Sequence, residues 1–133
     1  MLLSTVPGSS NPDPIGTMEE ANEIRKLIAR LREGIAIVEG KKDIASLQKL
    51  GVKAVTYRKI STIKTNKEVF VLTDLDKEGE RLLKEIMPEL MLRGLKPNTV
   101  VRKRLGYLLK LRRFEEIAKK VEKMEVKLWE KLT

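Results

Sequence analysis

The chain contains no cysteine and no histidine. Without cysteine there can be no disulfide, no thiolate nucleophile and no thiolate-bound zinc. Without histidine the chain lacks the commonest general base and the commonest transition-metal ligand. Any resident metal must therefore be held by oxygen, which narrows the choice to Mg²⁺, Mn²⁺ or Ca²⁺. Aromatic residues make up only 4% of the chain, too few for a base-stacking platform. No apolar run approaches the ~18 residues of a membrane span, and the first residues, MLLSTVPGSSNPDPIG, have neither the basic nor the apolar stretch of a secretory signal. A cytoplasmic protein with no membrane partner is expected.

What the chain has in excess is positive charge. Its 133 residues carry a formal charge of +9, which favours polyanionic partners, RNA or DNA. The surplus is uneven: residues 1–34 sum to −1, 35–101 to +4 and 102–133 to +6. The run Arg102, Lys103, Arg104, Lys110, Arg112, Arg113 meets no acid until Glu115. A solvated charged face would explain such a run equally well. The hydrophobic fraction, 41%, suits a single globular domain with one core.

Residues 1–16, rich in proline, glycine and small polar residues, read as a disordered tail. Thr17-Met-Glu-Glu20 fits a helix-capping box, and Ile24, Leu27, Ile28 and Leu31 form a helical stripe, so residues 17–34 read as an N-terminal helix. Short apolar runs at 35–38, 52–57, 69–73 and 99–102 read as strands. Helices are expected at 41–50 and 77–93, the second with Pro88 as a site of kinking or division. Residues 103–133 read as a basic amphipathic helix, with Leu108, Leu111, Phe114, Ile117, Val121, Met124 and Leu128 on its apolar side from Gly106 onward. Its end, with Leu128 and Trp129 exposed, offers a surface for a homodimer or a larger complex. Strands that alternate with helices and are apolar throughout imply a parallel sheet covered on both faces. Functional groups then gather beyond the carboxyl ends of the strands.

Two strand ends carry the chemistry. The first strand runs into Glu39-Gly-Lys-Lys-Asp43, and the third, VFVLTDLDKEGER, into Asp74, Asp76 and Glu78. If those strands are neighbours, their carboxylates converge on one rim. Asp76 could simply cap the following helix, with Glu78 favouring its first turn. Against that stands Gly79, since a glycine there costs ~1 kcal/mol relative to alanine and points to a close backbone approach, such as that of a phosphate. Gly40 and the amides opening the next helix, with Lys41 and Lys42, form an anion site. This is not a P-loop, because no Ser or Thr follows the lysine.

A strand ending in E-G-K-x-D, followed some thirty residues later by one ending in D-x-D-x-x-G, resembles the Toprim domain of topoisomerases, bacterial primases and several nucleases. Thr73-Asp-Leu-Asp-Lys-Glu-Gly-Glu80 is similar to the type IA topoisomerase pattern. Ile37-Val-Glu-Gly-Lys-Lys-Asp43 is closer to the ribonuclease that matures 5S ribosomal RNA and to the small stand-alone primase-like proteins common in archaea, which also match in size. The resemblance spans residues 35–102. It implies an α/β fold with a four-stranded parallel sheet flanked by helices, and one or two Mg²⁺ (or Mn²⁺) ions held by Glu39, Asp74, Asp76 and Glu78. It also implies that Glu39 is the general acid or base and that Gly40, Lys41, Lys42 and Gly79 meet phosphate. Arg58, Lys59, Arg102, Lys103 and Arg104 are the expected nucleic-acid contacts. The expected activity is phosphodiester cleavage or phosphotransfer, as in a nuclease or a primase-like enzyme, RNA processing included. A metal-dependent nucleic-acid-binding or assembly module without turnover is the alternative. Neither Tyr57 nor Tyr107 matches a topoisomerase nucleophile motif, and the zinc-binding region of primases has no counterpart. A phosphatase of the haloacid-dehalogenase type would carry its D-x-D on the first strand rather than the third.

Overall fold

The computed structural model describes residues 17–133, so the predicted tail at 1–16 lies outside the described residues. Thr17 caps helix α1 (Met18–Arg32), its Oγ1 accepting from the Glu20 N–H at 3.0 Å. Strand β1 (Ile35–Val38) leads to α2 (Lys41–Lys49), then β2 (Ala54–Thr56) and a 3₁₀ segment, Tyr57–Thr62. Strand β3 (Glu68–Val71) is followed by α3 (Lys77–Leu92), β4 (Lys96–Asn98), α4 (Val100–Leu109), a 3₁₀ turn (Phe114–Glu116) and α5 (Ile117–Leu132).

The strands form one parallel sheet in the order β2-β1-β3-β4. Alternation along the central strands sends successive side chains to opposite faces. Ala36, Val38, Phe70 and Leu72 pack with α1, α2, α4 and α5, while Ile37, Val69 and Val71 pack with Ile60, Ile63 and the Leu82, Ile86 and Leu90 face of α3. Both faces are thus covered, as the continuous apolar strands required. Gly34 is fixed by packing: a Cβ there would lie 2.3 Å from the Glu68 carbonyl oxygen. Among the described residues no helix is long and apolar enough to cross a membrane.

Three expectations are corrected. The fourth strand is Lys96–Asn98, not 99–102. The β-branched Thr99-Val-Val run suggests a strand, but Asn98 Oδ1 accepts from the N–H groups of Val100 (3.0 Å) and Val101 (3.1 Å) and starts a helix there instead. Pro97 is tolerated because β4 is an edge strand.

The single C-terminal helix is in fact two. Lys110 adopts a left-handed conformation (φ 53°, ψ 47°), closing α4, and Arg112 to Phe114 run across the end of β3. Tertiary bonds hold that crossing: Leu75 N–H to Arg112 O at 2.7 Å and Phe114 N–H to Asp74 Oδ1 at 3.2 Å. An apolar stripe of helical spacing cannot reveal such a break. Leu128 is buried with Ile117, Val121 and Met124, whereas Trp129 is exposed as expected.

Third, Pro88 neither splits nor ends α3; it sits on the exposed side of a helix that continues to Leu92.

Candidate metal and phosphodiester site

β1 and β3 are neighbours, so the two motif-bearing strand ends lie side by side. Glu39, just past β1, accepts from the backbone N–H of Asp74, just past β3, at 2.8 Å. That bond ties the two motifs together across 35 residues of chain. Asp74 Oδ1 in turn takes the Phe114 N–H. Asp76 caps α3, its Oδ1 accepting from the Gly79 N–H at 2.7 Å. Asp43, 6% exposed, accepts from the Gly40 N–H at 2.9 Å through Oδ2.

The electrostatics are those of an uncompensated acidic rim. Burial pushes the Asp74 carboxyl up to about 6; the Phe114 N–H opposes this, and the charges of Glu39, Asp43 and Asp76 add to it. Asp43 is raised chiefly by its own burial, with Glu115 and Glu39 contributing and the Gly40 N–H opposing. Among the described residues, none of Glu39, Asp43, Asp74 and Asp76 forms an ion pair with a lysine or arginine. Also among the described residues, no three carboxylates are gathered into a ready cage for a metal. An oxygen-only donor set with one oxygen each of Glu39, Asp74 and Asp76 already engaged suits a cation that takes one or two carboxylates and keeps its waters. That is the habit of Mg²⁺.

The loop carrying Asp74 and Asp76 is clamped from several sides. Arg102, 1% exposed, donates from Nε to Thr73 O (2.8 Å), from Nη2 to Asp74 O (2.7 Å) and from Nη1 to Glu80 Oε2 (2.6 Å). Thr73 Oγ1 donates to Gly79 O at 2.8 Å. Leu75 fills the space over Gly106, where a Cβ would lie 2.4 Å from Leu75 Cδ1. Such bracing holds the carboxylates in place before any ligand arrives.

Several expected site residues take other parts. Arg102 is no surface contact for nucleic acid: it is buried beneath the loop and spends its guanidinium on two carbonyls and Glu80. Gly79 is required by its own chain. A Cβ there would lie 1.7 Å from Asp74 O, and its N–H is already given to Asp76, so it offers nothing to a phosphate. Glu78 stands on the exposed first turn of α3 with both oxygens bonded to Arg81, which holds its carboxyl below the usual range. Arg104 pairs with Glu23 at 2.5 Å, and Arg58 lies over the Tyr57 ring at 5.0 Å. Lys59 and Lys103 are exposed, as are Lys41 and Lys42 at the start of α2. Gly40 differs from Gly79: its backbone is extended, and an added Cβ would meet only Asp43 Oδ2, at 4.0 Å. The space in front of α2 is open. Asp43 and Glu115 are acidic neighbours beyond the expected site residues; Asp43 is legible as the last letter of E-G-K-x-D, but Glu115 arrives only through the chain crossing after α4.

No family model matches the chain. Individual relatives do. It is 40% identical over 89 residues to the UPF0292 protein of Methanocaldococcus jannaschii, covering 59% of this chain and 70% of that one. The UPF0292 protein of Pyrococcus abyssi is 34% identical over 115 residues, 77% of this chain and 87% of that one. That of Pyrococcus horikoshii is 32% identical over 124 residues and is covered to 94%. Among solved structures, a protein from Aquifex aeolicus matches with a TM-score of 0.61 at 26% identity, over 75% of this chain and 97% of that one. The three UPF0292 proteins, all archaeal and alike to this chain over most of their length, establish that it belongs to the UPF0292 family.

Proposed function

We propose that this protein is a Toprim-type, Mg²⁺-dependent nucleic-acid enzyme of the cytoplasm, cleaving or transferring phosphodiesters as a nuclease or primase-like protein does. The observation that carries the reading is the Glu39 bond to the Asp74 amide, which brings two separate acidic motifs to the rim of adjacent strands. Asp74 and Asp76 are the metal ligands in this reading. Glu39, with one oxygen anchored on the Asp74 amide, presents the other for proton transfer or to the metal. Lys41, beside the open space at Gly40, neutralises an incoming phosphate. A bound Mg²⁺ or Mn²⁺ supplies charge neutralisation and Lewis acidity toward the phosphoryl oxygens. Arg102, Thr73 and Gly79 hold the loop geometry without touching substrate. Two copies, or a larger complex, would meet through the exposed Val126, Trp129 and Leu132 of α5.

The test is a Mg²⁺- and Mn²⁺-dependent cleavage assay on labelled RNA and DNA, single- and double-stranded, with Glu39→Gln and Asp74→Ala. Cleavage by the wild type that is lost in both variants is the expected result. Full activity in Glu39→Gln would remove Glu39 from its role.

A second reading is a metal-dependent binding or assembly module without turnover. It is favoured by the backbone bonds that Glu39, Asp74 and Asp76 already make, to the N–H groups of Asp74, Phe114 and Gly79, which give each carboxylate a structural part apart from turnover. Salt-sensitive binding of the same substrates without cleavage would decide for it.

A further inference from the structure

The end of the sheet opposite the acidic rim is basic. Lys53 immediately precedes β2, Lys67 immediately precedes β3, and Lys96 begins β4. With the order β2-β1-β3-β4 these lysines stand in a row across the amino ends of the strands, Gly34 filling the place before β1. Strand spacing sets them roughly 5 to 10 Å apart along the rim. Two concavities of about 590 and 360 Å³ open there and share Arg32, Glu33, Gly34 and Lys67, so they form one groove, with Lys53 and Lys64 on its second half. The wall beyond is the loop that follows the 3₁₀ segment.

The groove gathers cations with little acid to offset them. Arg25, Arg81, Arg93, Arg102 and Arg104 pair with glutamates elsewhere, and Arg30, at the edge of the groove, pairs with Glu68. Arg32, Lys53, Lys64 and Lys67 pair with no carboxylate among the described residues; Arg32 Nε donates to Leu50 O at 2.7 Å, leaving the rest of its guanidinium free. Within the groove only Glu33 offsets these four cations, since Glu68 is already held by Arg30. Such a patch attracts an extended polyanion and releases the counterions condensed on it.

We infer that this basic groove, on the far side of the sheet from Glu39 and Asp74, is a docking surface for the phosphate backbone of the nucleic acid. The inference rests on the nucleic-acid reading given above for the class of ligand, and adds the place where that ligand is held. Strands of about four residues separate the two rims by roughly 13 Å at 3.3 Å per residue. A strand bound in the groove therefore needs only a short reach around the molecule to present a phosphodiester to the acidic rim. Binding and chemistry would then sit on opposite poles, which keeps the groove's lysines away from the carboxylates that need a metal.

The experiment is fluorescence anisotropy of labelled single-stranded and duplex RNA and DNA across a salt series. It compares the wild type, the triple variant Lys53→Gln/Lys64→Gln/Lys67→Gln, and a charge-matched control, Lys26→Gln/Lys84→Gln/Lys123→Gln, all exposed positions. With about 0.7 counterions released per single-strand phosphate contact, the groove variant is expected to lose about 2 from its log–log salt slope. It should also bind at least tenfold more weakly at low salt, with the control close to wild type. Equal losses in both triple variants would show that only net charge matters and would overturn the groove. Unchanged binding by the groove variant would overturn it while leaving the nucleic-acid reading intact. No binding by the wild type would remove both. If light scattering instead shows self-association that the groove variant loses, the occupant is the acidic rim of a second copy, and the inference fails.

Discussion

Replacing Arg102 by methionine keeps side-chain length and apolar bulk but removes all three donated bonds beneath the Asp74 loop. Two carbonyls, Thr73 O and Asp74 O, then lose their donor, and Glu80 loses its counter-charge. Hydrogen bonds to charged groups contribute about 1.5–3 kcal/mol each. Part of this is recoverable, because Glu80 is half exposed and water can reach it. The larger loss is at the two carbonyls, at about 1–3 kcal/mol for each acceptor left without its donor, so a loss of about 2–5 kcal/mol is expected. Against a typical stability of about 5–15 kcal/mol, that is a large fraction of the total. Urea unfolding followed by far-ultraviolet circular dichroism would read the loss as a lowered midpoint. Arg102→Lys keeps one charge but cannot fork to two carbonyls and a carboxylate at once, so an intermediate loss is expected. Arg104→Met is the internal comparison: its partner Glu23 is at the surface, and an exposed pair contributes about 0–1 kcal/mol. A loss of under about 1 kcal/mol for Arg102→Met, or one no larger than that of Arg104→Met, would refute the bracing role.

Gly79→Ala is expected to destabilise by at least the ~1–3 kcal/mol typical of overpacking, because its Cβ would collide with Asp74 O. Gly40→Ala should leave the urea midpoint nearly unchanged, and equal effects at the two glycines would contradict the packing described. Stability should also depend on pH through Asp74, whose folded-state value lies near 6, above its ordinary 3.8. The folded chain then binds more protons than the unfolded chain between about pH 4 and 6, so stability rises as pH falls from 7 toward 5. Asp74→Asn should flatten that rise in a urea series; an unaltered profile would show that Asp74 is not the group responsible. At lower pH the trend reverses, as Glu23, Glu68, Glu80 and Glu125, all held low first of all by hydrogen bonds from arginine, take up protons.

Much of this was open to reading because it is local. Continuous apolar runs mark β1 and β3, an apolar stripe of helical spacing marks α1, and the alternation of strands with helices implies a parallel sheet. The convergence of Glu39 with Asp74 needed one further assumption, that β1 and β3 adjoin, and the structure meets it. The misreadings share a cause. β-Branching favours a strand at Val100 and Val101, but the Asn98 side chain accepts from both N–H groups and starts a helix. One apolar stripe favours a single helix over the last thirty residues, but the bonds of Phe114 N–H to Asp74 Oδ1 and of Leu75 N–H to Arg112 O pull the chain across the sheet end.

The alternation of strands and helices, the want of Cys and His ligands and the two acidic strand ends follow from residue type and short spacing, and so are legible along the chain. Which charge does what is settled by the packing of the folded chain. It buried Arg102 under the Asp74 loop, bound Glu78 to Arg81, closed the space at Gly79 while leaving that at Gly40 open, and set Lys53, Lys64 and Lys67 along one groove. A charged side chain's role depends on its distance from partners and from water, and residues far apart in the chain acquire those distances only when the sheet assembles.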